Sequence, residues 1–481
     1  MDPKELVLSA CDLARSKGAS YADCRFVELE DESLAVFGTI PEGISRFTNR
    51  GYGVRILAEG AWGYAATPEA DKDNIKETVA KALTIARASA TMSRDEVRLA
   101  PLVKVVGKFT TSIEQDPFQV PLPVKVAFLA YLNELIQKVK GVTRATATCE
   151  FHRTRTWFAS TEGSKFEQTV YQTGAGIEAV AMTSRRGMGK RSFPQAGGQF
   201  ETRGYELLSL LAMEKECQRI GEEAVALTTA KDGFPDITTL ILDGPAVSLI
   251  IHESIGHPLE LDRVFGAERN FSGISFATTD KLGKLKYASD LVTVTADAMS
   301  HFGLGTFGYD DEGVPAQRVE LIKDGLLVGY LTSRELAMKI GRQSTGAMRA
   351  QGWQNLPLIR MTNTNLLPGN FSLEKLITET DHGILMLGTS SWSIDDRRES
   401  FQMGCEIGYE IHGGKRGAMV KNPTYSGNTV GFWNSLDGIA GEKEWKVWGT
   451  PSCGKGQPGQ NMRTGQGAAP CRFRNVKVGE A

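Results

Sequence analysis

Apolar and polar positions recur with two different periods along this chain. Helical spacing runs over Lys4–Ser16, Asp73–Ala90 and Val124–Val139, and a longer amphipathic stretch runs from Tyr205 to Leu227. Between these, "CRFVELEDESLAVF" and "GYGVRILAEGAWGYAAT" alternate as strands do, and the second reads as a Gly-rich hairpin from Gly51 to Thr67. "TRATATCEFHRTRTWFAS" sets Thr and Arg opposite small and aromatic residues, which suits a strand with one solvated face. Turn formers in "LTTAKDGFPDITT" (Leu227–Thr239) then mark a boundary. Beyond it come short β runs with Gly/Asn/Asp turns: "LVTVTAD", "GYLTS", "GILMLGTSSWSI", "GCEIGYEIHGGKRG", "EKEWKVWGT" and "CRFRNVKVG". One helix interrupts them around Ser333–Ile340. The pattern predicts an α+β protein, with an N-terminal α/β domain over 1–230 and a β-rich C-terminal domain over 231–481.

Composition narrows the function classes. A chain of 481 residues holds two or three domains with large cores. Its 55 basic and 57 acidic residues nearly balance, and no Lys/Arg run stands out, which argues against a nucleic-acid or acidic-membrane partner. No apolar stretch approaches the roughly 18 residues needed to span a bilayer. The opening "MDPKELVLSACDLARSKG" lacks the apolar core of a signal peptide, so a cytoplasmic location is expected. Cysteines 11, 24, 149, 217, 405, 453 and 471 are scattered and odd in number; they suggest buried thiols rather than disulfides, with one free to be a metal ligand.

The chemistry concentrates in "LIIHESIGHPLELD", Leu249–Asp262. The zinc-protease signature H-E-x-x-H places two histidines one helical turn apart. Here His252 and His257 are five apart, and on an ideal helix, at ~100° per residue, they point about 140° away from each other. Asp243 caps the helix and Gly244-Pro245 suits its first turn. Val247, Ile250, Ile251 and Ile255 form its apolar face, while Ser248 and Gly256 leave space on the line of His252. Gly256 loosens the turn, and Pro258 disfavours α geometry at His257, so the helix is expected to end or kink within the motif and free His257 to share an ion. Glu253 is placed to take a proton from water and pass it to a leaving amine. The alternative is two unrelated histidines at a helix end beside a satisfied glutamate; the kink and the scarcity of histidine, six in the chain, weigh against it.

Catalytic zinc takes three protein ligands and leaves a fourth position open. Candidates for the third are Glu260, Asp262, Cys405, Cys453, His301, His382 and His412. Spacing does not choose among them. Cys405 lies in an alternating strand, where a buried thiol is expected. Cys453 is preferred: it reads as an exposed turn residue between Ser452 and Gly454, with Lys455 to favour the thiolate.

Taken together, "GYGVRILAEGAWGYAAT", "HESIGHPLELD", "YDDEGVPAQRVELIKDGLLVGYL", "IRMTNTNLLPG", "YEIHGGKRGAMVKNP" and "CGKGQ" resemble the TldD/PmbA family of metallopeptidases over nearly the whole length. The residues after C-G-K depart somewhat from the family pattern, which bears on the wall of the cleft. The resemblance implies an N-terminal α/β domain before a β-rich C-terminal one. It also implies a motif-bearing, TldD-like subunit in which His252, His257 and Cys453 hold one zinc ion and Glu253 is the general base. Short or unfolded peptides are the implied substrates, cleaved in an enclosed cavity. The implied assembly is a heterodimer with a motif-lacking paralogue, or a homodimer. A non-proteolytic peptide-binding or regulatory module with a structural metal is the alternative, and another metal-dependent hydrolase a third.

Two other motifs lead elsewhere. "GLGTFG" (Gly303, Gly305, Gly308) matches G-x-G-x-x-G but precedes a turn and a strand, not a helix, so dinucleotide binding is rejected. "DDEG" lacks the spaced oxygens of a calcium loop and is expected to be a solvated turn. Arg349, Arg360, Asn363 and Asn365 suit either peptide-backbone binding or loop organisation.

Overall fold

The computed structural model describes residues 1–93, 95–183, 187–233 and 235–479. The first three predicted helices form at Pro3–Ser16 (α1), Lys72–Ala90 (α2) and Leu122–Gln137 (α3). Asp2 and Asp71 start the first two by accepting hydrogen bonds from backbone N–H groups of the first turn. The expected Tyr205–Leu227 helix breaks instead into Leu207–Leu210, a 3-10 turn at Met213–Lys215 and a helix at Cys217–Leu227. The break is at Ala212, which adopts a left-handed φ of 48°. It lets Leu208, Met213, Cys217 and Ile220 all reach one core, so packing outweighs helical periodicity.

Four long strands, Tyr21–Phe37 (β1), Ile40–Ala58 (β2), Val142–Ser160 and Lys165–Met182, form the frame of an eight-stranded sheet. The predicted hairpin closes β2 onto Ala61–Thr67 through Glu59 and Gly60, both at positive φ, as the tight primed turns of hairpins require. The long strands cross two separate cores. Near one end α1 and α2 bury Leu6, Val7, Val54, Ile56, Val79 and Leu83; near the other α3 and the Cys217–Leu227 helix bury Leu129, Leu132, Phe151, Ile177 and Ile220.

The second half builds a ten-stranded sheet between residues 231 and 478. Asp236–Leu242 lies in its middle, antiparallel to Cys471–Val478 and parallel to His382–Leu387. The motif helix leaves directly from the end of Asp236–Leu242. A separate hairpin, Lys446–Lys455 with Gln460–Ala468, packs beside that helix and carries Cys453. "GYLTS" forms no strand; only Leu331 bridges, to Glu260, and its backbone bonds to Leu259 and Leu261 fasten the chain just after the motif.

"DDEG" is not a solvated turn. Asp310 and Glu312 are buried, and Asp310 accepts the backbone N–H groups of Glu312, Val314 and Met348. Glu312 pairs with Arg55 at 3.0 Å, and Asp311 with Arg25 at 3.2 Å, so this segment ties the second half to the first sheet. The acidic residues are there to neutralise arginines that the sheet buries.

Candidate metal centre

The motif segment begins as an α-helix, Gly244–Ile251, with Asp243 accepting the N–H of Ala246. It then widens into a π-turn over His252–Gly256, in which the N–H of His257 donates to the carbonyl of His252. A 3-10 turn, His257–Leu259, follows. The π-turn is how the extra residue is accommodated: an i→i+5 bond brings residues five apart onto neighbouring positions of one wider turn. The two imidazole rings end 4.8 Å apart, centre to centre, at 89° to each other.

The α-helix ends at the motif, as expected, but the chain does not leave helical conformation at Gly256. Both Gly256 (φ −58°, ψ −63°) and His257 (φ −61°, ψ −43°) stay in right-handed helical conformation, despite Pro258. Glycine is needed at 256 for closeness, because a Cβ there would sit 2.0 Å from the sulfur of buried Met361. The space beside His252 on that side is therefore filled, not open. Gly256→Ala is expected to overpack this contact and cost about 2 kcal/mol, the middle of the range for a forced methyl in a full core. A denaturant melt should show the midpoint falling with an unchanged slope.

His252, His257 and Cys453 come together, with ligand atoms all within 4.8 Å of one another and all three residues buried. Cys453 Sγ lies 3.4 Å from His257 Nε2. Cys453 is only 3% exposed and sits in a strand, which corrects the expected exposed turn. Lys455 does not serve the thiol; its ammonium goes to Asp262 at 2.7 Å and Glu260 at 3.3 Å. Burial pushes the Cys453 thiol up, but His257 and Arg360 outweigh burial and set it below its ordinary value. Arg360 also donates to the Cys453 carbonyl and fixes the hairpin.

Glu260 is not beside the thiol but behind His257, its carboxylate accepting from Nδ1 at 2.9 Å. That bond leaves Nε2 turned toward Cys453, the arrangement in which a carboxylate orients a metal-binding imidazole. Burial opposes ionisation of Glu260, yet Lys455, His257 and Arg263 hold it well below the usual carboxylate range. Asp262 likewise faces Lys455 and not the three donors. Of the other candidates, Cys405 is buried and its thiol is raised well above normal by burial, Asp243 and Glu406. His301 packs on Phe302, and His382 and His412 face each other on another part of the sheet.

Glu253 lines the same cleft, where Arg398 Nη1 donates to its Oε2 at 2.7 Å. Burial raises the Glu253 pKa, but His257, His252 and Arg398 more than reverse this and keep it ionised. Arg398 escaped the sequence reading, since nothing in "DDRRES" links it to a glutamate 145 residues earlier. It is held with φ of 64° in the turn between Ser391–Ile394 and Ser400–Gly404. The cleft is about 600 Å³, and Leu249, Trp392, Ile394 and Pro451 supply apolar walls.

Arg349, Arg360, Asn363 and Asn365 organise the surrounding backbone. Arg349 donates to the carbonyls of Met361 and Arg463, and Arg360 to that of Gln460. Asn363 accepts from Gly305 N–H and donates to Asp297 O; Asn365 accepts from Gly467 N–H. Gly303 and Gly305 of "GLGTFG" serve this packing: a Cβ at Gly303 would lie 2.6 Å from the Asn363 side chain, and one at Gly305 2.3 Å from the Thr362 carbonyl.

Comparisons with known proteins agree over the whole chain. Residues 22–86, 115–231 and 235–480 match domain 1, the central domain and the C-terminal domain of the PmbA/TldA metallopeptidases. The chain is 29% identical to a metalloprotease of Methanothermobacter thermautotrophicus, covering 95% of each. It is 23% identical to the zinc metalloprotease TldD homolog of Saccharolobus solfataricus, covering 97% and 98%. In fold it is similar to TldE from Thermococcus kodakarensis (17% identity, 98% and 99% covered, TM-score 0.71). A candidate modulator of DNA gyrase from Thermotoga maritima is also similar (17% identity, 99% of each covered, TM-score 0.78). With three consecutive domains matched in order and the His-His-Cys group assembled, the chain belongs to the PmbA/TldD metallopeptidase family.

Proposed function

We propose that this protein is a zinc-dependent peptidase that hydrolyses peptide bonds in short or unfolded polypeptides within an enclosed cavity. The observation that carries the reading is the convergence of two imidazoles and a thiol, its pKa drawn below the ordinary value by His257 and Arg360, in the cleft that Glu253 also lines. These donors fit zinc. Nitrogen and sulfur ligands suit it, three from the protein leave one position open, and His252 Nδ1 is buried without a hydrogen-bond partner. When bound, zinc supplies Lewis acidity to a carbonyl oxygen and to water. His252, His257 and Cys453 would hold it, and Glu260 keeps the His257 ring oriented.

Glu253 is the group that moves the proton. Its Oε2 is engaged by Arg398, so its other oxygen receives a proton from the attacking water and delivers it to the departing amine. Arg398 thus keeps the base charged and aimed. The apolar walls accept side chains of an extended peptide and reduce the water around the reacting bond. The same reading places the protein in the cytoplasm, paired with a motif-lacking paralogue or with itself. Among the described residues no helix is long and apolar enough to cross a membrane.

Digestion of an unstructured peptide by the purified full chain tests the proposal. Cleavage should stop on addition of a chelator and return with zinc. Cleavage that ignores the chelator, or none at all with zinc demonstrably bound, would replace it with a non-proteolytic peptide-binding module whose metal is structural.

A further inference from the structure

A smaller cavity, of about 90 Å³, lies where the second half of the chain meets the first sheet, and it shares no lining residue with the metal cleft. The strands Val142–Ser160 and Lys165–Met182 bring Thr154, Thr156 and Val170 to it, and the second half brings Arg349, Met462 and Arg463. Met462 is the register partner of Cys453 in its hairpin, so the cavity begins one strand away from the thiol. Its size is well above the ~10–15 Å³ that a single water needs.

The charges around this cavity do not cancel. Arg25 meets Asp311 at 3.2 Å, and Arg463 has Asp31 at 3.7 Å. The acids in the lining are already engaged. Both oxygens of Asp310 accept backbone N–H groups, and the second oxygen of Asp311 accepts that of Ala350. Arg349 is the remaining cation, and among the described residues it pairs with no carboxylate. Its Nη1 makes both of its hydrogen bonds, to the carbonyls of Met361 and Arg463 at 2.8 Å each. Nε and Nη2 make none, yet neither is a sealed, orphaned atom. Burial and Arg360 press the guanidinium pKa down to about 9, against the pull of Asp311. At neutral pH the group stays charged, and a cation so placed is costly without a counter-charge.

We propose that this cavity is a carboxylate-binding site, in which the Nε–Nη2 edge of Arg349 holds both oxygens of one carboxylate. That edge carries two parallel N–H groups, the fork that matches a carboxylate in a bidentate pair. Thr154 and Thr156 add hydroxyl donors to the same lining. One unpaired cation calls for one negative charge, which favours a carboxylate over the more highly charged phosphate. Two sources offer this chemistry: the C-terminal end of a peptide, and a free small carboxylic acid. The site does not rest on the peptidase reading, since the charge imbalance stands whatever the metal centre does.

Isothermal titration calorimetry of the full chain with acetate, N-acetylglycine, N-acetylglycinamide and inorganic phosphate tests this. Both carboxylates should bind and the uncharged amide should not. Tighter binding of N-acetylglycine than of acetate assigns the site to peptide C-termini, and equal binding assigns it to free carboxylic acids. Arg349→Lys keeps the charge but loses the fork, and should weaken binding about 10-fold. Val170→Phe puts a ring into the cavity, leaves every charged group in place and should abolish binding. A circular dichroism melt of each variant separates loss of the site from loss of the fold. Binding of the carboxylates that is unchanged in either folded variant overturns the site, as does no binding by the wild type. Phosphate bound more tightly than either carboxylate overturns the assignment of the ligand.

Discussion

Glu253→Gln is expected to keep its metal and lose peptide cleavage by about 100- to 10,000-fold, the contribution of a positioned general acid–base group. The substitution is nearly isosteric. The amide oxygen still accepts from Arg398, so the ion pair becomes a hydrogen bond and the turn that carries Arg398 stays in place. What disappears is the capacity to hold a proton between the attacking water and the leaving amine. Metal content by mass spectrometry and kcat/KM on an unstructured peptide check the two halves separately. Full activity in the variant would remove Glu253 from the role of base. Loss of metal would make it a ligand or a support of the ligands instead. Arg398→Ala gives a graded companion: the carboxylate remains but is no longer aimed, so the loss should be smaller than for Gln.

How far the sequence discloses this site depends on the range over which each interaction acts. Helix starts were legible because capping is local: Asp2, Asp71, Asp243 and Ser333 each bond within their own first turn. That Glu253 stands next to His252 is legible because the two are adjacent in the chain. The way His257 reaches its partner was not. Gly256 and Pro258 suggested a kink, whereas the bond from His257 N–H to His252 O winds the chain more widely without leaving helical angles. Gly256 is small because Met361, over 100 residues away, occupies its space. Arg398, Glu260 behind His257 and the buried "DDEG" ties are likewise products of tertiary contact, which no local period records. In Tyr205–Leu227 the periodicity was real, but a single left-handed residue at Ala212 lets the chain serve the core better than a straight helix.

Choice of the third ligand shows the same limit most sharply, and sets the other large effect. Cys453→Ala is expected to release the metal and reduce cleavage to background, while Cys405→Ala keeps both. Burial does not separate these thiols, at 3% and 2% exposed. Their charged neighbours do. Both are pushed up by burial, but Cys453 has His257 and Arg360 to draw it below its ordinary pKa, whereas Cys405 has Asp243 and Glu406 to push it further up. A metal binds the thiolate, so the first gives up its proton to a metal more readily than the second. Metal analysis and cobalt substitution, whose thiolate charge-transfer band reports a sulfur ligand directly, distinguish the two variants. A band that survives in Cys453→Ala and vanishes in Cys405→Ala would reverse the assignment. A band that survives in both would take sulfur at these two positions out of the site and leave the two histidines to find their third partner elsewhere.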